Sequence, residues 1–179
     1  SYFRAKAGDP TLLLEEKEIS QGASGANFGN VQVQDASMGQ SYALTLAGFA
    51  RMKTMTAELG CDIGYQSYPS LIAAESEAHL PELERLFQEK KEAGLDVRWL
   101  EGSALQEAEP NLAPGSVLAA SYFEQGRVYP FHYQYALVRQ GRRYGLEVRE
   151  FSTVSSLLVE GGVCTGVMLA DGATVRAEH

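Results

Sequence analysis

The opening of the chain leaves few ways to fold. Ser1 to Ala7 reads as the last turns of a helix, and Gly8 is a helix stop. Asp9-Pro10 cannot continue the helix, because proline lacks an amide hydrogen and crowds the preceding turn. Thr11-Leu12-Leu13-Leu14 then forms a short apolar run that ends in charge at Glu15. Such a run reads as a strand buried on both faces, as in a parallel sheet. Helix, tight turn and buried strand are the second half of a βαβ unit, whose first strand would precede Ser1.

Downstream, the pattern changes twice. Ser20 to Ser37 is rich in Gly, Ser, Asn and Gln and predicts a long loop, a class that is usually functional or disordered. Met38 to Leu59 carries Leu44, Ala47, Phe49, Met52, Met55 and Leu59 at helical spacing, closed by Gly60. Cys61 to Ser76 suggests two antiparallel strands around Pro69-Ser70. Glu77 to Ala93 is an amphipathic helix with Leu80, Leu83, Leu86 and Phe87 inward. Ser103 and Gln106 suggest a capping box on a brief helix, and Val117 to Glu124 another strand. Pro130 suits the start of a helix over 131–143. A strand over 146–151 follows. A β-meander over 154–177 turns at Gly161-Gly162 and Asp171-Gly172.

Both ends therefore read as α/β and the middle as α+β. The expected fold is α/β with an α+β insertion: residues 1–60 and 126–179 form one domain, and 61–125 an antiparallel insert.

Composition narrows the chemistry. With 15 Lys+Arg against 23 Asp+Glu, the formal charge is −8, which argues against nucleic acid as partner. No apolar stretch is long enough for a transmembrane helix. Cys61 and Cys164 form no CxxC pair and the three histidines are isolated, so no metal site is expected. A disulfide is the alternative for the two cysteines, but two reduced, buried thiols are the better reading, and the expected location is cytoplasmic, with peripheral association with the inner membrane as a further option.

Two features could carry function. An acidic residue ending the second strand of a dinucleotide-binding fold hydrogen-bonds the ribose hydroxyls, and Glu15 stands at such an end. The glycine fingerprint of that fold lies about 20 residues earlier, which here falls before Ser1. The alternative is a plain solvent-exposed carboxylate. The second feature is Gly22-Ala23-Ser24-Gly25-Ala26-Asn27-Phe28-Gly29-Asn30, whose small residues let backbone amides approach a ligand. It is neither a phosphate-binding Lys-Ser/Thr loop nor a nucleophile elbow. A flexible surface linker is the alternative reading.

The strand Leu12-Leu13-Leu14-Glu15 with the loop Gly22 to Gly29 resembles the D-amino-acid oxidase, glycine oxidase and sarcosine oxidase superfamily of flavoproteins. Glu109-Pro110-Asn111-Leu112, Gly126-Arg127-Val128-Tyr129-Pro130, Gly145, Val154, Gly162-Val163-Cys164-Thr165-Gly166-Val167 and Asp171-Gly172 match that pattern in order and spacing. Tyr129 departs from it, standing where the family often has Asp. The resemblance covers nearly the whole chain. It implies a partial FAD-binding Rossmann-like domain interrupted by an antiparallel substrate domain. It also implies that the chain is an internal piece of a longer protein, and that FAD and activity belong to the full-length protein.

By this resemblance Glu15 would bind the adenosine ribose. Ser24, Gly25, Asn27 and Gly29 would line the pyrophosphate and flavin, and the backbone of Val154 would meet the adenine. A substrate carboxylate calls for Arg or Tyr donors, and the candidates are Tyr65, Tyr68, Arg98, Tyr122 and Arg127. No residue is assigned as catalytic acid or base, because the flavin accepts a hydride. The implied activity is oxidation of a C–N bond in a small amine or amino acid, with an electron acceptor or partner subunit not specified. The alternatives are a flavin-dependent 2-hydroxy-acid or glycerol-phosphate dehydrogenase, and a non-catalytic interaction scaffold.

Overall fold

The computed structural model of the chain describes residues 1–177. They form two compact units, one of Ser1–Phe28 with the segment from Tyr129 onward, the other Gly29–Val128. The unit boundary at Phe28/Gly29 lies well before the 60/61 boundary read from sequence. The long helix after the loop packs on the antiparallel sheet, so it groups with the insert.

In the first unit, helix α1 (Tyr2–Lys6) leads through the Gly8 turn into β1 (Leu12–Leu14). Helix α5 (Pro130–Arg143), with proline in its first turn, leads into β6 (Glu147–Arg149). β1 and β6 pair in parallel, Leu12 opposite Glu147 and Leu14 opposite Arg149. The leucines of β1 are half-buried rather than enclosed on both faces. The meander β7 (Val154–Glu160), β8 (Val163–Leu169) and β9 (Thr174–Arg176) forms a separate antiparallel sheet with the expected turns.

The second unit is built on β5 (Ala119–Arg127). β3 (Gln66–Ala74) pairs along its whole length, while the short β2 (Asn30–Val31) and β4 (Arg98–Glu101) share its other side. The sequence suggested two strands hinged at Pro69-Ser70; β3 is instead one strand running through Pro69, opposite Glu124. Proline is tolerated because β3 is an edge strand among the described residues and needs no amide on its outer side.

Helix α2 (Gln40–Leu59) and helix α3 (Leu80–Glu92) are the two long helices of this unit. Its main core joins Val33, Tyr42, Phe49, Phe87, Leu95, Val97 and Phe123. Leu44, expected to face inward, is 77% exposed. It lies two residues beyond buried Tyr42, about 200° round the helix. The capping box does not form either. Helix α4 (Gly102–Ala108) has Glu101 at its cap, and Gln106 donates to the carbonyls of Pro110 and Leu112. Cys61 and Cys164 are both free, but Cys61 is half-buried and Cys164 exposed, against the expectation of two buried thiols.

The core also holds a cation. Lys90 is 2% exposed. Its Nζ donates to the Ala36 carbonyl, lies 3.3 Å from Met38 Sδ and 4.6 Å from the Tyr42 ring centre. Burial pushes its pKa down, with Glu89 and Asp35 opposing and Arg85 reinforcing the shift. A lysine whose folded pKa is lowered disfavours the folded state while both states are charged. That cost is relieved as pH rises from the folded pKa toward the ordinary lysine value. We therefore expect stability relative to Lys90→Met to increase as pH rises toward the ordinary lysine value. The pH-dependent difference between the two urea midpoints measures it, and parallel pH profiles would show that the amine titrates normally.

Candidate functional site

In the first unit, parallel pairing brings the ends of β1 and β6 together. The Glu15 amide donates to Arg149 O at 3.0 Å, and the Ser152 amide donates to Glu15 O at 2.8 Å. Glu15 Oε1 accepts from the Lys17 amide at 2.9 Å, while its other oxygen carries no bond among the described residues. The carboxylate thus stands at the C-terminal edge of a parallel pair, where open α/β sheets take their ligands. The Phe151 amide donates to Lys17 O at 3.2 Å, so the segment leading to Val154 runs beside Glu15. Val154 opens β7 opposite Leu169 and is 42% exposed.

The small-residue loop is ordered by its own bonds. Gly22–Ser24 make one 3-10 turn with no buried residue. Asn27 Nδ2 donates to Ala23 O at 3.0 Å and to Ser24 O at 2.7 Å, so this amide braces the loop from inside. Gly25 leaves no room for a side chain: a Cβ there would lie 2.1 Å from Ser20 O and 3.1 Å from the Phe131 ring. Ser20 itself is buried with φ at 71°. Gln134 accepts from Ser20 Oγ at 3.1 Å and donates to the Ser24 carbonyl. Glu150 Oε1 accepts from the Ile19 amide at 2.7 Å. Sequence reasoning missed Ser20, Gln134 and Glu150. The only local signal was the shared helix face of Phe131, Gln134 and Tyr135, at spacings of three and four.

Tyr129, the departure from the family pattern, is the N-cap of α5 and makes no side-chain cap bond. Its ring packs edge-on against His132 at 4.5 Å.

In the second unit, strand pleating sorts the substrate candidates. Tyr122 and Arg98 are paired residues on one face, the Arg98 guanidinium 4.1 Å from the Tyr122 ring centre. The Tyr65 ring covers the same face, since a Cβ on Gly126 would meet it at 2.9 Å. Tyr65 Oη is buried without a partner among the described residues. Arg127 and Tyr68 belong to the opposite face, that of Phe123 and Gln125. There the Tyr68 hydroxyl donates to Asn30 Oδ1 at 3.0 Å. Three of the five candidates therefore share a face and two do not. Gly29, at the start of this unit, accepts from the Val128 amide at 2.9 Å and has φ at 73°.

No group of three or more His, Cys, Asp or Glu side chains able to hold a metal occurs among the described residues, and no helix among them is long and apolar enough to cross a membrane. What the first unit offers is a carboxylate acceptor beside a tightly closed loop of small residues. Gly25→Ala should open that loop, because the new methyl meets a backbone carbonyl rather than a movable side chain. Faster amide exchange over residues 20–26 is the expected readout.

Residues 2–179 match the family described as FAD dependent oxidoreductase. The chain is 31% identical over 187 residues to a glycine oxidase of Bacillus licheniformis, covering 100% of this chain and 48% of that protein. It is 25% identical to the 4-methylaminobutanoate oxidase (formaldehyde-forming) of Paenarthrobacter nicotinovorans, across 96% of this chain and 21% of the relative. The crystal structure of glycine oxidase from Geobacillus kaustophilus superposes with a TM-score of 0.88 at 24% identity, covering 99% of this chain and 49% of that one. The chain thus spans about half the length of the glycine oxidases it matches. Matched by the family pattern over nearly its full length, with the mixed α/β fold of those oxidases, the chain belongs to the FAD-dependent oxidoreductase family.

Proposed function

We propose that the protein carrying this chain binds FAD and oxidises the C–N bond of a small amine or amino acid. The observation that carries the FAD half is Glu15, a carboxylate with an open oxygen at the C-terminal edge of the β1/β6 pair. A ribose diol can donate to such a group, and charge-assisted bonds of this kind are the strong ones. The closed loop at Ser24, Gly25 and Asn27 suits a diphosphate or ring edge, since small residues permit close approach. The start of β7 at Val154 completes the proposed cofactor set within the first unit, and Gly29, the first residue of the second unit, is left out of it. On this reading the first unit is the FAD-binding part and the second the substrate part.

When bound, FAD supplies the hydride acceptor for a C–H next to nitrogen, and the resulting imine hydrolyses in water. The chain's own part is binding and orientation. The relatives' names, glycine oxidase and 4-methylaminobutanoate oxidase, support an amine or amino-acid substrate. Arg98 stacked on Tyr122 presents a guanidinium edge to a substrate carboxylate, and the unpartnered Tyr65 hydroxyl is a second donor on the same face. Free Cys61 and Cys164 support a cytoplasmic location.

Glu15→Ala in the full-length protein should weaken FAD binding about 10- to 100-fold, measured by flavin fluorescence quenching on titration. Unchanged affinity would remove Glu15 from the site, and a full-length protein that takes up no flavin would end the FAD reading. Anaerobic mixing with a panel of amines, amino acids and 2-hydroxy acids identifies the substrate class by bleaching of the flavin. Arg98→Met should raise KM for an amino acid and leave KM unchanged for an amine that lacks a carboxylate. An equal effect on both would assign Arg98 to packing.

A further inference from the structure

We infer that Gln134 is a positioning residue for the cofactor loop, holding Ile19–Gly25 in a strained shape that favours the bound nucleotide. The inference rests on the FAD reading of the first unit. It goes beyond that reading by naming a residue outside the loop that sets the loop's shape.

Gln134 reaches both ends of the turn. Its Oε1 accepts from Ser20 Oγ at 3.1 Å, and its Nε2 donates to the Ser24 carbonyl. An L-residue at φ 71° is strained, and Ser20 is nonetheless 6% exposed and held there. Its carbonyl points at Gly25 so closely that a Cβ would sit 2.1 Å away. Two neighbours of Gln134 on the same helix face grip the same segment. The Phe131 ring lies against Gly25, and the Tyr135 hydroxyl donates to Ile19 O at 3.3 Å. From the other side Glu150 accepts from the Ile19 amide at 2.7 Å.

Apolar burial anchors only one end of the segment, at Ile19, which is 9% exposed. The 3-10 turn Gly22–Ser24 has no buried residue. A polar, exposed loop gains little hydrophobic free energy by being fixed. Here it is fixed by side-chain hydrogen bonds around a strained residue, an arrangement that persists only where the surroundings over-determine it and that clusters at ligand sites. Pre-ordering the loop lowers the entropy lost on binding. Among the described residues Gln134 supplies the side-chain hydrogen bonds that span the turn from Ser20 to Ser24, so removing it should release the loop while α5 keeps its apolar packing.

The test uses the full-length polypeptide, stripped of flavin and titrated with FAD, and the urea midpoint of each apoprotein. Gln134→Leu should weaken FAD binding about tenfold with the apoprotein midpoint unchanged. Gln134→Glu keeps the shape and the acceptor for Ser20 but turns an anion toward the Ser24 carbonyl. It should lose as much affinity, and it serves as the main variant if Gln134→Leu folds poorly. Adding Ser20→Gly to either variant should restore most of the affinity, because glycine adopts the left-handed conformation without strain. Affinity within twofold of the unaltered protein in both variants overturns the inference and leaves the FAD reading standing. So does a fall in the apoprotein midpoint that matches the loss of affinity. If the unaltered protein binds no FAD, both readings fall together.

Discussion

The parallel pairing of β1 with β6 spans only the pairs from Leu12–Glu147 to Leu14–Arg149, yet the first unit is organised by it. Flanking bonds extend it at both ends, from the Glu147 amide to Thr11 O at 2.9 Å and from the Glu15 amide to Arg149 O at 3.0 Å. Parallel strands must be reached by crossovers, so the helix before each strand lies on the same side. That sets α1 beside α5, with the Tyr2 and Tyr144 rings 6.2 Å apart. It also places the acidic residues after both strands at one edge. A slip of one residue would turn every side chain of β1 to the other face. Glu15 would then leave the C-terminal edge of the pair.

Order at this edge passes from the sheet to the loop through polar contacts. Glu150 and Gln134 hold Ile19, Ser20 and Ser24, and Asn27 closes the loop internally. Beyond buried Ile19, the loop is thereby shaped by polar contacts. The second unit solves a different problem. Its sheet buries one face under α2 and α3, including a network in which Gln125 accepts from the Val33 amide and donates to Ser70 Oγ at 2.7 Å. Its other face carries Arg98, Tyr122 and Tyr65. Pleat alternation alone decides which aromatic and basic residues meet.

Much of the secondary structure was legible because it depends on local chemistry. The Gly8-Asp9-Pro10 stop, proline at the start of α5 and the Gly161-Gly162 turn all act through backbone dihedrals that neighbours cannot easily override. Readings that depended on long-range partners went astray. Pro69 looked like a hinge, but pairing on one side only lets β3 run straight through it. Gln106 looked like half of a capping box, but the carbonyls of Pro110 and Leu112 compete for its amide.

The candidate site divides in the same way. Sequence by itself determined the residue types and their order: an acid closing an apolar strand, a loop of small residues, and a pattern specific enough to point to the family. Those features are encoded by short runs whose meaning does not depend on distant contacts. Tertiary structure alone decided that Gln134 spans the loop, that Glu150 caps Ile19, that Lys90 lies in the core and that Arg98 stacks on Tyr122. Each of those is a contact between residues far apart in the chain. A glutamine or a lysine has no periodicity to announce its partner, so only the folded register can show what it touches.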